Sequence, residues 1–112
     1  MAEDKPKALE YWRLAAQGGD DLAQFHLASA YCDGEGTGRD LAEAARWFRL
    51  AADQGLSTAQ LNLGLILLGA GDGGREEAKR YLGLAADLGL AAAREALDGL
   101  EAGTDAPRPC GP

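Results

Sequence analysis

The chain has 112 residues, 46% of them hydrophobic and 26% charged, and a formal net charge of −7. This is the composition of one soluble globular domain, and an acidic chain offers no basic patch for nucleic acid or anionic membrane. No apolar run follows the charges of Met1–Lys7 as a secretory leader requires, and no stretch approaches the ~18–20 apolar residues of a membrane span.

The first predicted helix runs from Lys5 toward Gly19, with Asp4 placed as its N-cap and Ala8, Tyr11, Trp12, Ala15 and Ala16 on one face. A second, Asp21–Asp33, carries Ala23, Leu27, Ala30 and Tyr31, and a glycine-rich loop at Gly34–Gly38 ends it. Asp40 is placed to cap a third helix, which repeats the first pattern as Ala44, Trp47, Phe48, Ala51 and Ala52 before Gly55. The fourth, Ser57–Gly69, carries Ala59, Leu63, Gly64, Ile66 and Leu67, and a second loop spans Gly69–Gly74. The fifth gives the first pattern again as Ala78, Tyr81, Leu82, Ala85 and Ala86 before Gly89. The sixth, Ala91–Ala102, carries Ala93, Leu97 and Leu100. A tail at 103–112, with three prolines and two glycines, is expected to lack regular structure.

Two helix types therefore alternate, and the closing glycines Gly19, Gly55 and Gly89 lie 36 and 34 residues apart. A glycine just past a helix suits a left-handed backbone, and small residues such as Ala23, Ala28, Ala59 and Gly64 let helix axes approach closely. The expected architecture is all-α: a right-handed α-solenoid of about two and a half antiparallel helix-pair repeats, occupying 1–102.

The segments Ser57-Thr-Ala-Gln-Leu-Asn-Leu-Gly64, Asp33-Gly-Glu-Gly36 and Trp47-Phe-Arg-Leu-Ala-Ala-Asp-Gln-Gly55 resemble the Sel-one-like repeat, a relative of the tetratricopeptide repeat. The resemblance covers about Asp4 to Ala102: a lone second helix, two whole repeats (Gly19–Gly55 and Leu56–Gly89) and one first helix. In the last helix, Asp98 and Glu101 stand where the family has a small and an aromatic residue, which suits a terminal helix facing water. The resemblance implies a protein–protein scaffold or adaptor.

Helices of the second type also carry apolar residues off their core faces. Leu22, Phe25, Ser29 and Cys32 trace one stripe, with counterparts Thr58, Leu61, Leu65 and Leu68, then Ala92, Glu95 and Gly99. In arrays of the tetratricopeptide kind this side lines a concave groove. Phe25, Leu61, Leu65 and Leu68 are expected to form an apolar floor for a partner's helix or extended segment. Burying each would contribute ~1.5–3 kcal/mol before association costs, which suggests roughly micromolar binding. Asn62 lies beside this floor, but no Lys or Arg joins it, so a tetratricopeptide-type carboxylate clamp is not expected.

No catalytic or metal site is expected, and no cofactor. His26 and Cys32, six residues apart on one helix, point about 120° from each other. In Asp33-Gly-Glu-Gly-Thr-Gly38, the bidentate glutamate a calcium loop needs at its twelfth position falls on Ala44. Gly69–Gly74 lacks the Lys-Ser/Thr ending of a phosphate loop, and the only serines are Ser29 and Ser57. Two cysteines in such different settings make no disulfide framework, so Cys110 reads as an idle thiol and the cytoplasm as the expected compartment. Two alternatives accompany the scaffold reading. One is an acidic inhibitor or immunity protein acting through Asp20, Asp21, Glu35 and Asp40. The other is a homodimer joined through the open end of a short repeat array.

Overall fold

The computed structural model describes residues 5–34, 37–69, 74–103 and 109–110. Six helices follow in chain order: α1 (Lys5–Gln17), α2 (Asp21–Asp33), α3 (Leu41–Asp53), α4 (Ser57–Gly69), α5 (Arg75–Asp87) and α6 (Ala91–Ala102). No strand occurs among the described residues, and the fold is all-α.

Local chemistry sets the helix ends. After α1, α3 and α5 the chain turns through Gly19, Gly55 and Gly89 at φ 100°, 96° and 95°, a backbone region open to glycine without cost. Each turn closes with the same pair of bonds. The glycine N–H donates to Ala16, Ala52 or Ala86, and the next N–H reaches five residues back to Ala15, Ala51 or Ala85. Asp20 caps α2 by accepting from the amides of Leu22 and Ala23, and Asp40 caps α3 by accepting from Glu43. Position Asp4, expected to cap α1, lies outside the described residues.

Each helix packs chiefly on its neighbours in sequence. Ala44, Ala51, Ala59, Ala78 and Ala85 are fully buried at the seams, between the larger Leu27, Phe48, Leu63, Tyr81 and Leu82. The seam between α4 and α5 is tight at Gly64. A Cβ there would lie 2.7 Å from Leu82 Cγ and 3.3 Å from the Ala78 carbonyl oxygen. One large core cluster draws on α1 to α5, and a smaller one joins Leu65 of α4 to Leu82, Ala85, Ala93 and Ala96.

Lateral contacts reveal two layers. Arg49 of α3 reaches Glu77 of α5, and Cys110 spans Cys32 of α2 and Asn62 of α4. The odd helices thus share one face and the even helices the other.

Tyr11 departs from the pattern. It belongs to the same apolar set as the buried Trp47 and Tyr81, yet it is 69% exposed. The set is buried by the helix pair on either side, and among the described residues α1 has a pair on one side only.

Candidate functional site

The even-helix face carries the residues that the stripe singles out, and their settings differ. On α2, Leu22 is 57% exposed, whereas Phe25 and Ser29 are half-buried. The Phe25 ring stands edge-on to Phe48 at 5.6 Å, held by the core without being enclosed in it. On α4, Thr58 is exposed, and Leu61, Asn62 and Leu68 are half-buried. On α6, Ala92 and Glu95 are exposed.

Two members of the stripe are not surface at all. Leu65 is only 5% exposed, because α4 turns it into the cluster formed by Leu82, Ala85, Ala93 and Ala96. Leu61 and Leu68 pack against the same cluster and keep part of their surface free. Cys32 is 4% exposed, and what covers it is the chain's own C-terminus.

Cys32 and Cys110 form a disulfide across 78 positions, which corrects the expectation of two unrelated thiols. The Cys110 N–H also donates to Asn62 Oδ1 at 3.0 Å, and its side chain packs against the larger core cluster. Its φ of 65° is left-handed, uncommon for a non-glycine residue and held here by a covalent bond and a hydrogen bond together. Repeat pattern could not show this pairing, because the tail belongs to no repeat. The signals present were parity and reach: two cysteines allow one pair. The seven residue-to-residue steps from Gly103 to Cys110 can span at most about 24 Å when extended, comparable to the 24 Å and 27 Å shorter dimensions of the molecule.

Other polar groups have structural partners. His26 stacks on Trp12 at 5.0 Å between ring centroids, and Cys32 is in its disulfide, so they form no thiol–imidazole pair. The carboxylates of Asp20 and Asp40 serve as helix caps, and Glu35 lies outside the described residues. On the odd-helix face, Arg49 grips Glu77 through two hydrogen bonds of 2.5 and 3.1 Å, and Tyr81 OH donates to Asp53 at 2.9 Å. The hydrogen bonds from Arg49 hold the Glu77 carboxyl below the usual carboxylate range, and raise the guanidinium in turn.

Buried glutamines are a feature the hydrophobic pattern passed over. Gln24 and Gln60 occupy equivalent places and donate from Nε2 to the carbonyls of Ala16 and Ala52, each at 3.2 Å. Both fasten the start of an even helix to the end of the odd helix before it.

A family model described as the Sel1 repeat matches residues 1–20, 21–56 and 57–90. A Rattus norvegicus protein named DAP3-binding cell death enhancer 1 is 40% identical over 60 residues, and its Mus musculus counterpart is 38% identical. Each match covers 54% of this chain and 12% of the relative, so the chain corresponds to a small part of either protein. Among solved structures, the chain is similar to c5321, a protective antigen of uropathogenic Escherichia coli with an SLR fold. That match has a TM-score of 0.81 and 30% identity, covering 87% of this chain and 21% of the other. It is also similar to a Sel1 repeat protein from Oxalobacter formigenes, at TM-score 0.79 and 26% identity, covering 89% of this chain and 43% of that one.

Proposed function

Because the chain belongs to the Sel1 repeat family, we propose that it is a non-catalytic adaptor that holds an extended segment of another protein on its even-helix face. The observation that carries this reading is the contact between Cys110 and Asn62. The Cys110 backbone N–H bonds there to the Asn62 side chain, and its own side chain packs against the core. A side-chain amide that bonds to main chain accepts any sequence, which is what a peptide-docking surface needs. Leu22, Phe25, Leu61 and Leu68 supply apolar surface on the even helices, whereas Leu65 is core.

Protein binding is also in keeping with the rat relative, whose name describes it as binding DAP3. The disulfide favours an oxidising compartment over the cytoplasm that composition alone suggested, since reducing cytosol keeps such pairs open.

The test uses an isolated partner, identified by capture from the native cell, and compares two variants of the full chain. Leu22→Asp with Asn62→Ala should weaken binding at least about tenfold, as removal of one apolar anchor and one hydrogen bond implies. Leu50→Asp, on the odd-helix face, should leave it unchanged. Equal binding by the first variant, still folded, removes the even-helix face from consideration.

A further inference from the structure

The odd-helix face carries a pattern of its own. Of the large apolar side chains exposed among the described residues, all but Leu22 belong to the odd helices or to the turn after α5. Leu14, Leu50 and Leu84 hold the same register in α1, α3 and α5, and they are 66%, 43% and 44% exposed. A single exposed leucine is ordinary, but one position left open in three copies makes a patch.

An arginine stands one turn before the second and third of these leucines. Arg46 lies 5.0 Å from the Trp47 ring centroid and Arg80 5.1 Å from that of Tyr81, so both guanidinium groups are held in place while remaining exposed. A hollow along α3 is lined by Ala42, Ala45, Arg46, Arg49 and Leu50, an apolar floor with two cations at its rim. Charge divides in the same sense. The odd helices carry eight Lys or Arg against six Asp or Glu, a net +2, and the even helices carry one against five, a net −4. In a chain of net charge −7, the odd helices are the cationic side.

We propose that the odd-helix face is a second docking surface, and that its occupant is an acidic amphipathic helix of a partner protein. The two faces then let the chain join two proteins, and this one does not depend on what the even helices hold. Arg46 and Leu50, like Arg80 and Leu84, are about 6 Å apart along their helix. A partner helix with glutamate and leucine one turn apart meets both at once, carboxylate on guanidinium and leucine on leucine. Arginines already resting on rings lose little freedom when they bind. An anionic bilayer fits this face less well, because Glu43, Glu76 and Glu77 stand among the cations and meet the same negative surface.

The experiment titrates the full chain with a synthetic helical peptide of leucine, glutamate and alanine that has its leucines on one face. Binding is followed by NMR at the methyl groups of Leu14, Leu50 and Leu84. A second peptide has glutamine at every glutamate, and vesicles of phosphatidylserine and phosphatidylcholine form a separate arm. The variants are Leu50→Asp with Leu84→Asp, Arg46→Gln with Arg80→Gln, and Leu22→Asp with Asn62→Ala, each checked for helicity by circular dichroism. The acidic peptide should shift the three leucines. Either odd-face pair of substitutions, or the glutamine peptide, should weaken binding at least about tenfold, and the even-face pair should leave it unchanged. Half-molar salt should weaken binding to the parent chain more than to the arginine variant. No shift at those methyl groups at millimolar peptide overturns the proposal, as does equal binding of the two peptides or undiminished binding by the folded leucine variant. Capture by vesicles without peptide binding makes the face a membrane surface and overturns it too. If the leucine variant loses helicity, the arginine variant and the glutamine peptide decide. Each of these failures leaves the even-helix reading standing, since that reading is tested at Leu22 and Asn62.

Discussion

Gln54 Nε2 lies 2.8 Å from Gln24 Oε1 and 3.1 Å from the Gly19 carbonyl oxygen, so one side chain at the end of α3 ties its helix pair to the pair before it. Gln24 spends its own Nε2 on Ala16, and both ends of this buried amide are therefore satisfied. The next copy keeps half of the device. Gln60 donates to Ala52, but Leu88 stands where Gln54 stood, and Gln60 Oε1 has no hydrogen-bond partner among the described residues. Leu88 is 62% exposed.

Leu88→Gln should therefore stabilise the fold. The new amide would donate to Gln60 Oε1 and to the Gly55 carbonyl, repeating the upstream geometry, while an exposed leucine is lost at little cost. A satisfied buried acceptor is worth about 1 kcal/mol, or about 5 °C in the melting midpoint of a domain this size. Thermal melts of the two chains by circular dichroism check this. The double variant Leu88→Gln with Gln60→Ala should lose the gain, because the acceptor is gone.

Gly64→Ala should destabilise by about 1–3 kcal/mol, the usual cost of overfilling a tight seam. The added methyl meets Leu82 Cγ at 2.7 Å and Cδ2 at 2.9 Å. Leu82 is fully buried and cannot swing away. Gly83→Ala is the control: nothing lies within 4 Å of a Cβ there, and in mid-helix alanine should raise stability by about 0.5–1 kcal/mol. Urea midpoints of the two variants should move in opposite directions.

These positions show what the sequence disclosed and what it withheld. The bounds of α2, α4 and α6 were legible to the residue because caps and left-handed glycines act locally: Asp40, Gly19 and Gly55 announce themselves within one turn. Gly64 was legible as a close-packing position because its copy in α2, Ala28, is small. The fates of Tyr11 and Leu65 were not. Helical periodicity says which residues share a face, but not whether a neighbour covers it: Tyr11 lacks one, and Leu65 gains one from α5 and α6. The Cys32–Cys110 pair is further still from local pattern, since it joins the first whole repeat to a segment that repeats nothing.

Glu77→Gln should lower stability at neutral pH and have a smaller effect in acid. The Arg49 hydrogen bonds lower the Glu77 pKa in the folded chain below its ordinary value of 4.5. Such a group adds stability above the unfolded pKa and loses it as pH falls through the folded one. Both side chains are more than a third exposed, so solvent screens the pair and the expected loss is about 0.5 kcal/mol. Urea unfolding at pH 7 and at pH 3 should show the full difference at the first and a reduced one at the second. Half-molar salt should shrink it at pH 7.

Asp40 separates capping from charge. Its Oδ1 accepts from the Glu43 amide at 3.1 Å, and its own N–H donates to the Tyr31 carbonyl, so the residue joins the end of α2 to the start of α3. Asp40→Ala removes the acceptor and should cost about 1 kcal/mol. Asp40→Asn keeps an acceptor oxygen at the same place and removes only the charge, so stability should fall by no more than a few tenths of a kcal/mol. The same two variants test the acidic-inhibitor alternative. A partner held by the charge of Asp40 would bind both variants more weakly, with a salt-dependent loss. A partner held on the even-helix face would bind Asp40→Asn as tightly as the parent chain, and calorimetric titration of the three proteins at two salt concentrations distinguishes these outcomes.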